Sequence, residues 1–411
     1  MSLIQVNRSV SEESYQMGQG SRVRFFRLAA ALILGAVTLS LASCGGFFTP
    51  VGTGSTVGNG TATFVYVTNL GGTLAEYSLA SGVLTALSGS PVTLPLAPYS
   101  IVVAPTNAFL YIGTGTGVFM YTINSDGTLT EGNGNNVAYV NASDSSLIAQ
   151  SMVIDSTSSW LLIAYRNSTV VDAVQLTPTT GLPTGAVFSI NSSFSTASPQ
   201  LAISPANTGV YIALGTGGTE GLGFNPSGTT APLGPWPSSG VKIPLLTSDG
   251  GTADTGVTID PTSTYLYIAE QNNNSSGTAI AGTVRTQATA SLGKDLDDET
   301  TGVGPTAVMS DLTGAYVYVT NGADGTISGF SLDTTTQKLV SLGSAFATEQ
   351  SPVALVEDST KTYLMDVGNL ANPNLWLYTF DATAAGSLDV TATKPTASVN
   401  PSAANGIAVT H

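Results

Sequence analysis

The chain has 411 residues and a formal net charge of −15, from 11 Lys and Arg against 26 Asp and Glu. So acidic a surface repels nucleic acid and phosphorylated substrates, and it opposes binding to anionic lipid through charge. Only 9% of the residues are charged while glycine numbers 46, a mix that suits many short strands and turns better than helices, whose surfaces favour Glu, Lys, Leu and Ala.

In chain order, the first expected element is a processing segment over residues 1–43. Arg22, Arg24 and Arg27 precede an apolar run, Leu28 to Ser40, which leads to Leu41-Ala42-Ser43-Cys44-Gly45. A basic region, a short apolar region and a small-residue cleavage site make a secretory signal; a membrane span needs about 20 apolar residues, more than this run supplies. Met17 offers an alternative start. The Leu-Ala-Ser-Cys ending resembles the lipobox of bacterial lipoproteins, which implies acylation of Cys44 and membrane attachment through that lipid. Gly45 rather than Asp after the Cys implies the outer membrane. Cys44 is also the one cysteine of the chain, so no disulfide within it is possible. Residues 44–62, rich in Gly, Thr and Ser, read as a flexible tether. Without residues 1–43, 7 basic and 24 acidic residues remain, a net of −17.

Residues 63–411 carry a repeat. The segments beginning at Tyr66, Tyr111, Leu162, Tyr211, Tyr267, Tyr318 and Tyr363 align, with spacings of 45, 51, 49, 56, 51 and 45. Their β-branched and aromatic content marks strands. A more continuously apolar series precedes them, at Ile101, Met152, Leu201, Val257, Ala307 and Ala354, as expected of strands buried on both faces. Pro or Asp ends most of these and starts a turn. A third series includes Leu74–Leu79 and Ile327–Leu332; a fourth follows turns such as Gly82-Val83, Gly127-Thr128 and Gly386-Ser387. Four strands per repeat of roughly 50 residues predict an all-β propeller. The Tyr66 segment lacks a first strand, and the chain ends on an unpaired one, Ile407-Ala408-Val409-Thr410. Seven blades result, with the C-terminal strand completing the first and protecting both edges.

Tyr66-Val67-Thr68-Asn69 and Tyr318-Val319-Thr320-Asn321 resemble the signature of the YVTN repeat propellers. With Phe64–Leu79 and Gly82-Val83-Leu84, residues 64–411 resemble the lactonase-type seven-bladed propellers, which include 6-phosphogluconolactonase-like proteins. That resemblance implies a cleft on one face where His, Arg and Glu act on a lactone. Here the one histidine is His411, and the arginines after Cys44 are Arg166 and Arg285, so the family's constellation has no residue-by-residue match.

The fourth positions of the aligned segments are Asn69, Thr114, Tyr165, Leu214, Glu270, Asn321 and Asp366, with Arg166 beside Tyr165. Equivalent positions share one face, so they are expected to ring the channel. Glu270 is then the candidate base and Arg166 the anion anchor, with Asn69, Tyr165, Asn321 and Asp366 as binding residues. Asp295, Asp297, Asp298 and Glu299 read as a solvated acidic loop without the glycine or alternation of an EF-hand. No Cys/His metal cluster, P-loop lysine or cofactor motif is present in the sequence. The expectation is a monomeric, lipid-anchored envelope propeller that binds or scaffolds an envelope protein, a glycan or a small lactone; the alternative is a lactonase.

Overall fold

The structure is a computed structural model. It describes residues 63–134, 136–227, 231–235, 241–348, 351–370, 374–393 and 403–411; the expected signal segment, Cys44 and the tether lie outside the described residues. These residues form seven antiparallel sheets, each built on four strands. Two short 3-10 turns, Thr247–Asp249 and Thr289–Ser291, are the helical content among them. No described helix is long and apolar enough to cross a membrane.

The first strands of blades 2 to 7 are Pro98–Val103, Ala149–Ile154, Gln200–Ile203, Gly251–Ile259, Pro305–Ser310 and Pro352–Glu357. Each touches the next round the ring, and Ala404–Val409 fills the gap between blades 7 and 2. This last strand pairs with Thr63–Asn69, with Val409 opposite Val65 and Ile407 opposite Val67. Phe64 N–H donates to Thr410 Oγ1 at 2.9 Å and Thr410 N–H to Phe64 O at 3.0 Å. The seven-bladed ring therefore closes as the unpaired terminal strand predicted.

The two strand series exchange roles in one respect. The second strands, not the first, are the ones buried throughout: Phe109–Thr114 and Trp160–Tyr165 have no residue even half exposed. A second strand is covered on both faces by neighbouring blades, whereas a first strand turns alternate residues toward the channel. First strands are accordingly more open, as in Pro352–Glu357, with four half-buried residues between buried ends.

Among the described residues, seven apolar clusters fill the seven seams between blades. One joins Tyr66, Leu110 and Ile112 of blades 1 and 2; another joins Val65, Tyr77, Met365 and Leu377 of blades 1 and 7. Each fully buried side chain of this size contributes roughly 1.5–3 kcal/mol, so stability is spread round the ring as a sum of neighbour contacts.

The recurrent Tyr is a seam latch. Tyr66, Tyr111 and Tyr318 donate their hydroxyls to the carbonyls of Gly127, Gly181 and Gly386 in the following blade, at 2.7, 2.6 and 2.7 Å. Those glycines have φ of +83°, +70° and +78°, and each lies against an aromatic ring two residues before the Tyr. A Cβ on Gly181 would come within 2.6 Å of Phe109, and one on Gly127 or Gly386 would collide with Phe64 or Tyr316. Both backbone sign and space demand glycine there. The pattern also corrects one alignment: Met309 pairs with Tyr318 in blade 6 and the equivalent Val356 pairs with Met365 in blade 7. Blade 7 thus begins two residues later than the tyrosine match indicates, and Tyr363 is the equivalent of Tyr316.

The Asp that follows the first strand is a turn organiser. Asp260 accepts from Thr262 N–H at 2.9 Å through Oδ2, and from Thr264 and Tyr265 N–H at 2.6 and 2.5 Å through Oδ1. Asp155, Asp311 and Asp358 repeat the arrangement. A short polar side chain that satisfies four or five residues of turn backbone explains why Asp recurs there.

Candidate functional site

The seven first strands converge on a cavity of about 820 Å³ at one mouth of the channel. Every blade lends a residue: Asn405, Tyr99, Gln150, Gln200, Asp254, Thr306 and Asn369. Most come from one register position, five residues before the turn, where Tyr99, Gln150, Thr255, Thr306, Val353 and Asn405 all line the cavity. Such a residue sits where a first strand enters the ring with its side chain toward the axis. Amides and hydroxyls dominate the wall, and Phe194, 42% exposed, stands at the rim.

Arg166 lines this cavity. It is exposed, and its guanidinium carbon lies 5.9 Å from the centre of the Tyr99 ring, an attraction worth about 0.5–1 kcal/mol at an exposed site. Two acceptors in the wall, Gln150 Oε1 and Asn405 Oδ1, are buried and receive no hydrogen bond from the described residues. Asn405 is held by its Nδ2, which donates to Pro98 O at 2.8 Å.

The ring of fourth positions is a different matter. Asn69, Thr114, Tyr165, Leu214, Glu270, Asn321 and Asp366 are all buried, at 2% exposure or less, and none lines the cavity. Second strands run inside the blades, so these side chains point into seams and hairpins and only the residue beyond them reaches the mouth; Leu70, Arg166 and Gly215 do so. Asn69 donates to Thr73 Oγ1 at 3.0 Å, and Asn321 to Thr326 Oγ1 and Ser328 Oγ, both at 3.0 Å, closing their own hairpins. Tyr165 donates to Asp172 Oδ2 at 2.6 Å; burial first, then the Asp172 charge, holds its phenol far above the ordinary range. Asp366 accepts from the Thr348 hydroxyl.

Glu270 does not meet Arg166. Its Oε2 accepts from Arg285 Nη1 at 2.9 Å, and Leu246 N–H lies 3.0 Å from both its oxygens. Arg285 in turn reaches Asp295 Oδ2 at 3.0 Å and Pro244 O at 2.8 Å. With one oxygen in an ion pair and both within reach of Leu246 N–H, Glu270 is taken up by structural partners and is absent from the cavity lining. The acidic run is also no loop: Asp295–Val303 is the outer strand of blade 5. Asp297 there accepts from Leu339 N–H at 2.9 Å and from Lys338 Nζ at 3.0 Å, tying blade 5 to blade 6. Among the described residues no group of three or more His, Cys, Asp or Glu could hold a metal ion.

The carboxyl that sequence reasoning missed is Asp254. It lies in the cavity wall at 1% exposure, opposite Glu270 in the strand register. Its Oδ2 accepts from Thr219 Oγ1 of blade 4 at 2.6 Å. Desolvation, then the hydrogen bond and charge of Glu270, push its pKa well above the ordinary carboxylate range, against the opposing pull of Thr219 and Arg285. Its one sequence signal is that it is the single charged residue of the first strand Gly251–Ile259.

With this geometry in view, the solved structures that resemble the chain are informative. A Bacteroides fragilis protein provisionally described as a 6-phosphogluconolactonase aligns with a TM-score of 0.64 at 15% identity, over 87% of this chain and 100% of its own. A Bacteroides uniformis protein of the same description aligns at 0.62 and 13%, over 85% and 100%. The periplasmic gluconolactonase of Pseudomonas aeruginosa aligns at 0.60 and 14%, over 85% and 99%. What the chain shares with them is the seven-bladed propeller fold. No protein-family model and no curated protein matches the chain. At such identities a shared propeller carries no chemistry with it; the residues at the mouth must supply that argument.

Proposed function

We propose that this chain is a binding module of the cell envelope, anchored by lipid on Cys44, whose propeller takes a small polyhydroxylated ligand with one anionic group at the channel mouth. One observation carries the binding reading: among the described residues a single exposed guanidinium stands in a cavity most of whose lining residues carry an amide or a hydroxyl. A wall of amides and hydroxyls favours a ligand with O–H groups, and Arg166 favours a carboxylate. Phosphorylated ligands fit poorly, since the mature chain's charge of −17 repels multiple anions.

A second reading, lactone hydrolysis, draws support from the fold likeness and from Asp254. A general acid or base works best with a pKa near the operating pH, and Asp254 is shifted in that direction. Its candidate proton carrier is therefore Asp254, in place of Glu270.

Calorimetric titration with D-gluconate and its lactone separates these readings. Arg166→Leu is expected to weaken gluconate binding by about tenfold or more, with the melting temperature unchanged; equal binding by the variant would remove the mouth as the site. Turnover of the lactone that disappears in Asp254→Asn, with binding retained, would establish the hydrolase instead. For the anchor, Cys44→Ser should lose fatty-acid labelling and release the domain from membranes; retained labelling would refute it.

A further inference from the structure

The wall of the cavity between blades 4 and 5 is bridged across the seam by backbone. Gly215 and Asp254 exchange two backbone hydrogen bonds, both 3.0 Å, across the seam, and both residues line the cavity. The Asp254 side chain continues the seam by accepting from Thr219 of blade 4. Behind it, Arg285 donates to Pro244 O and Glu270 accepts from Leu246 N–H, both in the segment that follows blade 4. One wall is thus stitched to its neighbour by backbone, hydroxyl, guanidinium and carboxyl together.

Its charges do not balance. Asp254, Glu270 and Asp295 surround the lone guanidinium of Arg285. Asp254 and Glu270 occupy directly opposed positions of adjacent antiparallel strands, where Cβ atoms lie about 4.5–5.5 Å apart and like charges repel. While the seam is shut the backbone is packed against the Glu270 carboxyl: a Cβ at Gly251 would collide with Glu270 Oε1. Asp254 Oδ1 faces no N–H or hydroxyl donor among the described residues. A proton on that oxygen, shared with Glu270, satisfies it and removes the repulsion at once.

We propose that the seam between blades 4 and 5 is a proton-operated latch on the cavity: Asp254 holds a proton against Glu270 while the seam is shut, and loss of that proton drives the two carboxylates apart and parts the Gly215–Asp254 bridge in the cavity wall. Other groups set the midpoint without supplying a second switch. Arg285 and Asp295 stand behind the pair within blade 5. In blade 4, Lys242 is exposed and Glu220 turns to blade 3, where it accepts from Ser193 N–H at 2.7 Å. Blade 6 offers only backbone here, its Pro305 O accepting from Thr255, and Arg166 lies in the same cavity lining. Desolvation acts in the same sense, raising the affinity of Asp254 for its proton. A ligand held at the mouth would consequently bind best when the latch is protonated; that consequence rests on the binding reading above, whereas the latch does not.

Hydrogen exchange of the ligand-free full chain tests the latch on its own. After correction for intrinsic rates, amide protection in segments 213–219 and 251–257 is expected to fall about tenfold or more between about pH 6 and about pH 9, while segments of blades 2 and 3 stay constant. Asp254→Asn, which cannot ionise, should keep one level of protection across the range. Thr219→Val, which removes a donor that favours the charged form, should move the transition to higher pH. A component of the protonated-carboxyl infrared band at neutral pH that is lost in Asp254→Asn, over the contributions of Glu76 and Glu357, would locate the proton. Protection independent of pH in the wild type, or the same fall in Asp254→Asn, overturns the latch, whatever the cavity binds.

Discussion

The seam between blades 2 and 3 and the seam between blades 4 and 5 solve one packing problem in two ways. In the first, Phe109, Tyr111, Met120, Met152, Leu161 and Val174 belong to a cluster of fourteen buried apolar residues, and in the second the cluster among the described residues has eight, Ala202 and Ala213 among them. Each seam also buries carboxyl groups. Asp172 in the first receives Tyr139 and Tyr165 hydroxyls at 2.7 and 2.6 Å, Asn141 Nδ2 at 2.8 Å and Ser189 Oγ at 2.5 Å. Four donors converge on one acceptor and pin the segment carrying Tyr139 and Asn141 to blade 3. In the second, three carboxyls share one guanidinium and a hydroxyl. A buried carboxyl surrounded by donors is a clamp; a buried carboxyl facing another is a group whose charge the seam must manage.

Cutting each network at its centre should give the largest effects and expose the difference. Asp172→Ala leaves four polar groups without their acceptor in an apolar seam, at an expected cost of about 3–5 kcal/mol. Arg285→Met leaves Glu270 and Asp295 uncompensated and should cost about as much at alkaline pH, but less at mildly acidic pH, where carboxyls can protonate. The sign for the wild type follows from Asp254, whose folded pKa is raised. Stability from such a group is fully present below the ordinary carboxylate range and is lost as pH rises through the folded value. Glu76 and Glu357, pushed up to about 7 by burial foremost, add to the same trend elsewhere in the ring. Melting temperatures of the three proteins across pH check this; a penalty for Arg285→Met that does not grow with pH would erase the distinction between the seams.

A smaller contrast sharpens the account of seams in general. Tyr66 donates across its seam to Gly127 O, while the equivalent Tyr267 hydroxyl is buried with no partner among the described residues. Blade 6 turns through Gln337 at φ +60°, without the glycine found at the latched seams. Tyr66→Phe should therefore cost about 1 kcal/mol by stranding a carbonyl, and Tyr267→Phe should be neutral or slightly stabilising. Denaturant melts would resolve the pair, and equal losses would show that the hydroxyls do not act as latches.

The chain's linear pattern determined the seven-bladed ring. Strand periodicity, turn Asp residues and a first strand displaced to the C-terminus are local properties, repeated often enough to survive one misaligned blade at Tyr363. Arg166 was legible for the same reason, as the residue just past a second strand. The partners of Glu270 were not. Whether a strand-end carboxyl meets solvent, a hydroxyl or a guanidinium depends on which neighbouring blade covers it and where the covering segment crosses. Pro244 and Leu246, which hold Arg285 and Glu270 in place, sit in the connection between blades 4 and 5, outside the four-strand pattern. Asp254 became conspicuous only through its position opposite Glu270 and beside Thr219. Period-two alternation fixes the face on which a side chain lies, but burial, charge balance and proton affinity are set by what packs against that face, and in a propeller this is always another blade.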